Sequence, residues 1–218
     1  MDFAKARFNM VEQQIRPWDV LDFDVLDALS DIPREAFVSE TQRPYAYSDA
    51  ALPLPNGGVM LEPRIVARLV QGLGLKKEHK VLEIGTGSGY ATALLATLAS
   101  SVVSLDIDGH QQARAEAAVK SVGCENVVYQ VGDGLTLQNG AAPFDAIYVG
   151  GAVAAVPDVL KKQLKDGGRL VVVVGSAPVQ RALLITREGE QFTEKVLFDT
   201  FIPYLSNHAE TAAARFSF

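Results

Sequence analysis

From Arg64 onward the chain alternates short apolar runs with helix-length segments, and this alternation restricts the fold more than any other feature. Lys80 to Ile84, Val102 to Ile107, 126–131, 144–149 and 169–174 read as strands, while Arg64 to Leu73, Tyr90 to Leu98, 110–122 and 157–165 read as helices. Strands this apolar must be covered on both faces, and parallel strands joined through helices need right-handed crossovers. The pattern therefore predicts an α/β fold, a doubly wound, mostly parallel Rossmann-like sheet. Two more strands near 181–187 and 194–201 would make seven, in an order that the pattern leaves open.

The first 62 residues read differently. Phe3, Ala6, Met10 and Ile15 recur at roughly helical spacing until Pro17, and a second helix is expected near Val20 to Leu29. Five prolines between Pro33 and Pro63, with Asn56-Gly57-Gly58 among them, make Arg43 to Glu62 a loop region, and long loops in compact domains usually serve function. Trp18 and Phe37 are expected in the core. With 218 residues and 48% hydrophobic content, one domain is expected: an N-terminal helical extension and loop over 1–62, a sheet core over 63–205 and a tail over 206–218.

In such sheets ligands sit outside the carboxyl ends of the strands, where the winding reverses. Residues 85–89, 106–108, 132–134 and 150–152 follow strands and should converge there. Gly85, Gly87 and Gly89 open a helix directly after a strand ending Glu83-Ile84; Asp106 ends the next strand, 17 residues after Gly89; Gly132-Asp133-Gly134 ends the third. The glycines bring bare backbone N–H groups to a nucleotide-like ligand, Asp106 with Ile107 would hold its ribose, and Asp133 with Gly134 would read its base. A tight turn, a helix cap and plain turn chemistry remain the alternative uses of these same residues. The choice of cofactor turns on charge: Glu83 beside the turn repels a pyrophosphate but suits a sulfonium carrying an amino group, so S-adenosylmethionine is preferred over NAD.

Composition narrows the partners. A net charge of −6, from 20 basic and 26 acidic residues without a basic block, gives no footprint for nucleic acid. The single cysteine, Cys124, has no zinc-ligand spacing around it, so no metal site is expected. No apolar run reaches a membrane span and no signal-peptide core is evident, so a cytoplasmic protein without membrane contact is expected. The oligomeric state is not readable.

These motifs resemble the class I S-adenosylmethionine-dependent methyltransferases, and over nearly the whole chain they resemble the protein-L-isoaspartate O-methyltransferase family. Val81 to Tyr90 is similar to the family's first motif, Ser104 to Asp108 to the segment with the ribose acid, and Gly132-Asp133-Gly134 to its GDG. Ala142 to Ile147, Gln163 to Leu170, Tyr47-Ser48-Asp49 with Leu52-Pro53, and Phe201 to Leu205 continue the match. The resemblance implies methylation of altered aspartyl carboxyl groups in proteins or peptides, with S-adenosylmethionine as donor. It also implies a binding set of Glu83, Gly85, Thr86, Gly87, Gly89, Asp106, Ile107, Asp133 and Gly134, and an acceptor region containing Asp49, Val59 and Leu61.

One segment departs from the family. Where its members carry G-x-G-Q-T-I-S before a proline, this chain has Gly58, Val59 and Leu61 at the glutamine, threonine and serine positions. Hydroxyls expected near the acceptor are thereby lost, which leaves a small-molecule acceptor, or a silent cofactor-binding homologue, as alternatives. No catalytic residue is assigned: a carboxylate acceptor needs no general base, and His79, His110, His208 and Cys124 are expected to be structural or peripheral.

Overall fold

The computed structural model describes residues 1–205. Its main sheet has seven strands: β3 (Lys80–Ile84), β4 (Ser101–Asp106), β5 (Val127–Val131), β6 (Phe144–Val153), β7 (Leu164–Ser176), β8 (Val179–Glu188) and β9 (Gln191–Thr200). Their order is β5-β4-β3-β6-β7-β8-β9. The pairs from β5 to β7 are parallel, and β8 and β9 continue the sheet as antiparallel neighbours. The winding reverses between β3 and β6, where Ile84 lies opposite Val149. Ligands of such sheets collect beyond that pair of strand ends.

The alternation of side chains divides the core between the two faces of the sheet. Val81, Tyr148 and Val171 join one buried cluster with Met10, Leu29, Leu69 and Leu94. Their neighbours Leu82, Ile147 and Leu170 join the other with Leu160 and Ile185. The helices are α1 (Phe3–Asn9), α2 (Phe23–Asp31), α3 (Pro63–Leu73), α4 (Tyr90–Leu98), α5 (Gly109–Ser121) and the short α6 (Asp158–Lys162). Capping chemistry sets several starts: the side chains of Asp2, Asp22 and Asp108 accept from Lys5, Val25 and Gln111 N–H groups, and Pro63 opens α3.

Four local expectations change. Residues 43–62 are not wholly irregular: a 3-10 turn, Glu40–Tyr45, precedes a small antiparallel pair, β1 (Leu52–Pro53) with β2 (Val59–Met60), too short for any periodic signal. The helix expected over 157–165 ends at Lys162, because Leu164 already pairs with Phe144 and Asp166-Gly167-Gly168 cannot prolong a helix. The second helix starts at Phe23 behind its Asp22 cap and runs to Asp31, rather than from Val20 to Leu29. Trp18 is not core: it is 39% exposed with the Arg64 guanidinium 4.2 Å over its ring, whereas Phe37 is buried as expected. His208 and the tail over 206–218 lie outside the described residues.

Candidate active site

Beyond the ends of β3 and β6 lies a cavity of about 430 Å³. That volume is within the usual range for a site that encloses a nucleoside-sized ligand. Gly85 and Gly87 form its floor, Asp106 and Ile107 one wall, Asp133 and Gly134 another. A second chamber of about 30 Å³ adjoins it, sharing Val59, Leu61, Gly85, Gly87 and Gly150 and adding Thr86, Ser88, Tyr90 and Tyr148.

The glycine turn is needed for steric reasons. Gly85, Gly87 and Gly89 have φ of +86°, +54° and +86°, a region that side chains disfavour. At Gly150 a Cβ would stand 2.7 Å from the Gly85 carbonyl oxygen, so β6 can approach the turn only without a side chain. Gly89 serves a different purpose from the one expected: it lines neither chamber, and a Cβ there would meet the Ala115 carbonyl oxygen at 3.0 Å. It lets α5 pack on the start of α4.

Asp106 is arranged as the strand-end acid should be. One carboxylate oxygen accepts from Gly87 N–H at 3.1 Å and the other from Asp108 N–H at 3.0 Å, which fixes the group at the cavity wall with acceptor capacity to spare. Asp108, not Asp106, caps α5. Asp133 lines the cavity but also closes its own turn, accepting from Leu135 N–H and Thr136 Oγ1, both at 3.0 Å.

Glu83 does not reach the cavity. It is fully buried, and its Oε2 accepts from Thr92 Oγ1 at 2.7 Å and Ser104 Oγ at 2.5 Å. Burial pushes its carboxyl up to about 8, against the pull of those two hydrogen bonds. Thr86 belongs to the same network: its hydroxyl pairs with Ser104 at 2.7 Å and accepts from Gln112 Nε2 at 3.1 Å. Glu83, expected to favour a ligand amino group, instead belongs to a buried polar network that ties β3, β4, α4 and α5 beneath the turn.

Of the residues expected near an acceptor, Val59 and Leu61 line both chambers. Asp49 does not; it is ion-paired with Arg64 at 2.6 Å. Cys124 is packed inertly, its thiol 3.8 Å from the Ala93 carbonyl and shifted upward by burial. His79 sits at the opposite end of β3, accepting from Lys76 N–H, and His110 opens α5.

Sequence reasoning missed the cavity's outer wall. Leu54, Asn56, Gly57 and Gly58 form the loop tip, and Pro203, Tyr204 and Leu205 return from the chain's end. Ala152 N–H donates to Pro203 at 2.9 Å and Leu205 N–H donates to Ala152 at 3.0 Å. This places Leu205 against Gly85 and Gly151. The motif at Phe201 to Leu205 was visible in the sequence; its position was not, because a single parallel bridge sets it.

The comparisons with known proteins agree with this geometry. Residues 6–209 match the family described as protein-L-isoaspartate(D-aspartate) O-methyltransferase. A protein of that name from Roseiflexus sp. (strain RS-1) is 39% identical over 213 residues, covering 97% of each chain. Another from Syntrophus aciditrophicus (strain SB) is 42% identical over 192 residues, 88% of each. A solved protein-L-isoaspartate O-methyltransferase superposes with a TM-score of 0.79 at 26% identity, over 98% of this chain and 70% of that one. A Plasmodium falciparum structure assigned to the same family, in complex with S-adenosyl-L-homocysteine, has the same fold, with a TM-score of 0.79 at 19% identity over 94% and 99% of the two chains. With nearly its whole length matched and a strand-end glycine cradle to carry the motifs, this chain belongs to the protein-L-isoaspartate(D-aspartate) O-methyltransferase family.

Proposed function

We propose that the protein methylates isoaspartyl carboxyl groups in proteins or peptides, with the donor in the larger cavity and the acceptor entering the chamber under Val59 and Leu61. The carrying observation is the junction of the two chambers at Gly85, Gly87 and Gly150, where a donor methyl and an acceptor oxygen would be brought together. As a member of its family the enzyme uses S-adenosylmethionine, which supplies an electrophilic methyl group on a sulfonium. The residues present fit that cofactor: a volume of suitable size, a wall without Lys or Arg among the described residues, and an acid positioned for two hydroxyls.

Asp106 holds the ribose, Ile107 and the Asp133-Gly134 turn flank the base, and the Gly85–Gly87 backbone receives the amino-acid end. Glu83 acts from behind, keeping the turn in place. A carboxylate acceptor is already a nucleophile, so the chain's work is orientation and exclusion of water, and no side chain has to remove a proton. Loop residues Leu54 to Gly58 and Leu205 cover the cavity for that purpose.

One observation favours a second reading, a different acceptor such as a small molecule. The loop wall of the chamber presents Val59, Met60 and Leu61, none with a hydroxyl. Radiolabelled methyl transfer to an isoaspartyl peptide, compared with its normal aspartyl twin, separates the two. Transfer to the isoaspartyl peptide alone supports the proposal; absence of transfer from S-adenosylmethionine by a preparation that in a separate titration binds S-adenosylhomocysteine rejects it.

A further inference from the structure

The residues before the loop, 1–45, do not line the donor cavity, yet one fully buried cation ties them to the loop. Arg34 lies in the 3-10 turn Arg34–Phe37 and is 0% exposed. Its Nε donates to the Ala46 carbonyl at 2.7 Å and its Nη2 to the Leu61 carbonyl at 2.8 Å. These two carbonyls stand at the two roots of the segment that carries β1, the Asn56–Gly58 tip and β2. The guanidinium also lies 4.8 Å over the Tyr90 ring, and Tyr90 faces Leu61 across the smaller chamber. One side chain thus touches both the loop wall and the helix wall of that chamber. Neighbouring contacts act in the same sense: Gln14 Nε2 donates to the Tyr47 carbonyl at 3.1 Å, and the Tyr47 hydroxyl bonds Glu35.

A buried guanidinium is an expensive way to fill space. Among the described residues no carboxylate comes within ion-pair distance of Arg34, and burial shifts its pKa downward. A methionine would fill the position without that desolvation cost, but it could hold neither carbonyl. Lysine would keep the charge but presents a point donor in place of a planar fork. We propose that Arg34 is a positioning residue for the methyl acceptor: it fixes Leu61 relative to Tyr90 and the glycine turn, and so sets the width of the acceptor chamber. The inference rests on the acceptor-chamber reading above.

The test uses the full chain with Arg34→Met and Arg34→Lys. Three readouts are followed: S-adenosylhomocysteine Kd, steady-state constants for an isoaspartyl peptide, and amide hydrogen exchange with S-adenosylhomocysteine bound. For Arg34→Met the peptide KM should rise at least about tenfold, since two hydrogen bonds from a charged donor are lost. The Kd should weaken several-fold less than the KM rises, because the loop held by Arg34 lines part of the donor cavity while the rest of that lining is strand-end backbone that Arg34 does not touch. Exchange should quicken over 46–62 and not over 84–90, and Arg34→Lys should recover part of the peptide KM. A folded Arg34→Met with KM within twofold of wild type overturns the proposal, as does an equal loss in both affinities. Should Arg34→Met not fold, the same criteria apply to Arg34→Lys. Should the wild type bind S-adenosylhomocysteine but leave the isoaspartyl peptide unmethylated, the acceptor reading falls, and exchange alone decides: unchanged protection over 46–62 in the variants refutes the role of Arg34.

Discussion

On the proposed donor side of the site the lining is mostly backbone: glycines with positive φ at the end of β3, a Gly150 that admits no side chain, and an Asp106 pinned by two N–H groups. On the acceptor side, apolar side chains hang from a loop whose only regular structure is a two-residue pair of strands, held at its roots by Arg34. The donor wall is welded into the sheet, with Glu83, Thr86, Ser104 and Gln112 buried beneath it. The acceptor wall can change its chemistry without disturbing that weld. Val59 and Leu61 give that wall no hydroxyl, so the two sides differ in what they can offer a ligand: backbone and carboxylate on one, apolar side chains on the other.

Substitutions can break this contrast in order of expected size. Asp106→Ala should cost the most: it removes the ribose acceptor and frees Gly87 N–H, about 3 kcal/mol together, or roughly a hundredfold in S-adenosylhomocysteine Kd by titration calorimetry. Gly150→Ala pushes a methyl into the Gly85 carbonyl; overpacking of this kind costs about 1–3 kcal/mol and should weaken the same Kd about tenfold. Leu61→Ser with Val59→Thr works the other wall. Its gain in isoaspartyl-peptide kcat/KM should be about fivefold, the worth of one net hydrogen bond, with a smaller change in donor affinity, since both residues also line the donor cavity. If donor affinity moved as much as kcat/KM, the two walls would act as one.

A separate effect, on stability rather than on binding, concerns pH. Glu83 has its carboxyl raised from 4.5 to about 8 by burial, so the folded state holds a proton that the unfolded chain releases near 4.5. This contribution to stability is fully present below about 4.5 and is lost as pH rises through about 8. Glu83→Gln should flatten the corresponding stretch of a Tm-against-pH curve. An unaltered slope would assign it to other groups.

How much of this was legible beforehand follows the same division. Strand periodicity and the glycine turn located β3 through β7 and the strand-end position of Asp106, because these depend on local pattern and a general topological rule. Glu83 was recognised as important but given the wrong neighbours: sequence spacing puts it beside the turn, while strand alternation turns its side chain inward to Ser104 and Thr92. Gly89 was likewise read as ligand-facing when its constraint comes from α5, a long-range contact that no spacing reports. Asp49 looked like a free polar group in a loop until Arg64, at the start of α3, claimed it. Arg34 gave no signal at all, since its partners are backbone carbonyls at 46 and 61, which any residue supplies.

The central claim is an intact donor site coupled to an isoaspartyl acceptor chamber, and it is tested most directly by one paired assay. Methyl transfer from labelled S-adenosylmethionine is measured on an isoaspartyl peptide and on its aspartyl twin, at matched concentrations, with S-adenosylhomocysteine binding recorded on the same preparation. The account predicts tight binding and transfer to the isoaspartyl peptide alone. Tight binding with equal transfer to both peptides, or with transfer to neither, would contradict it.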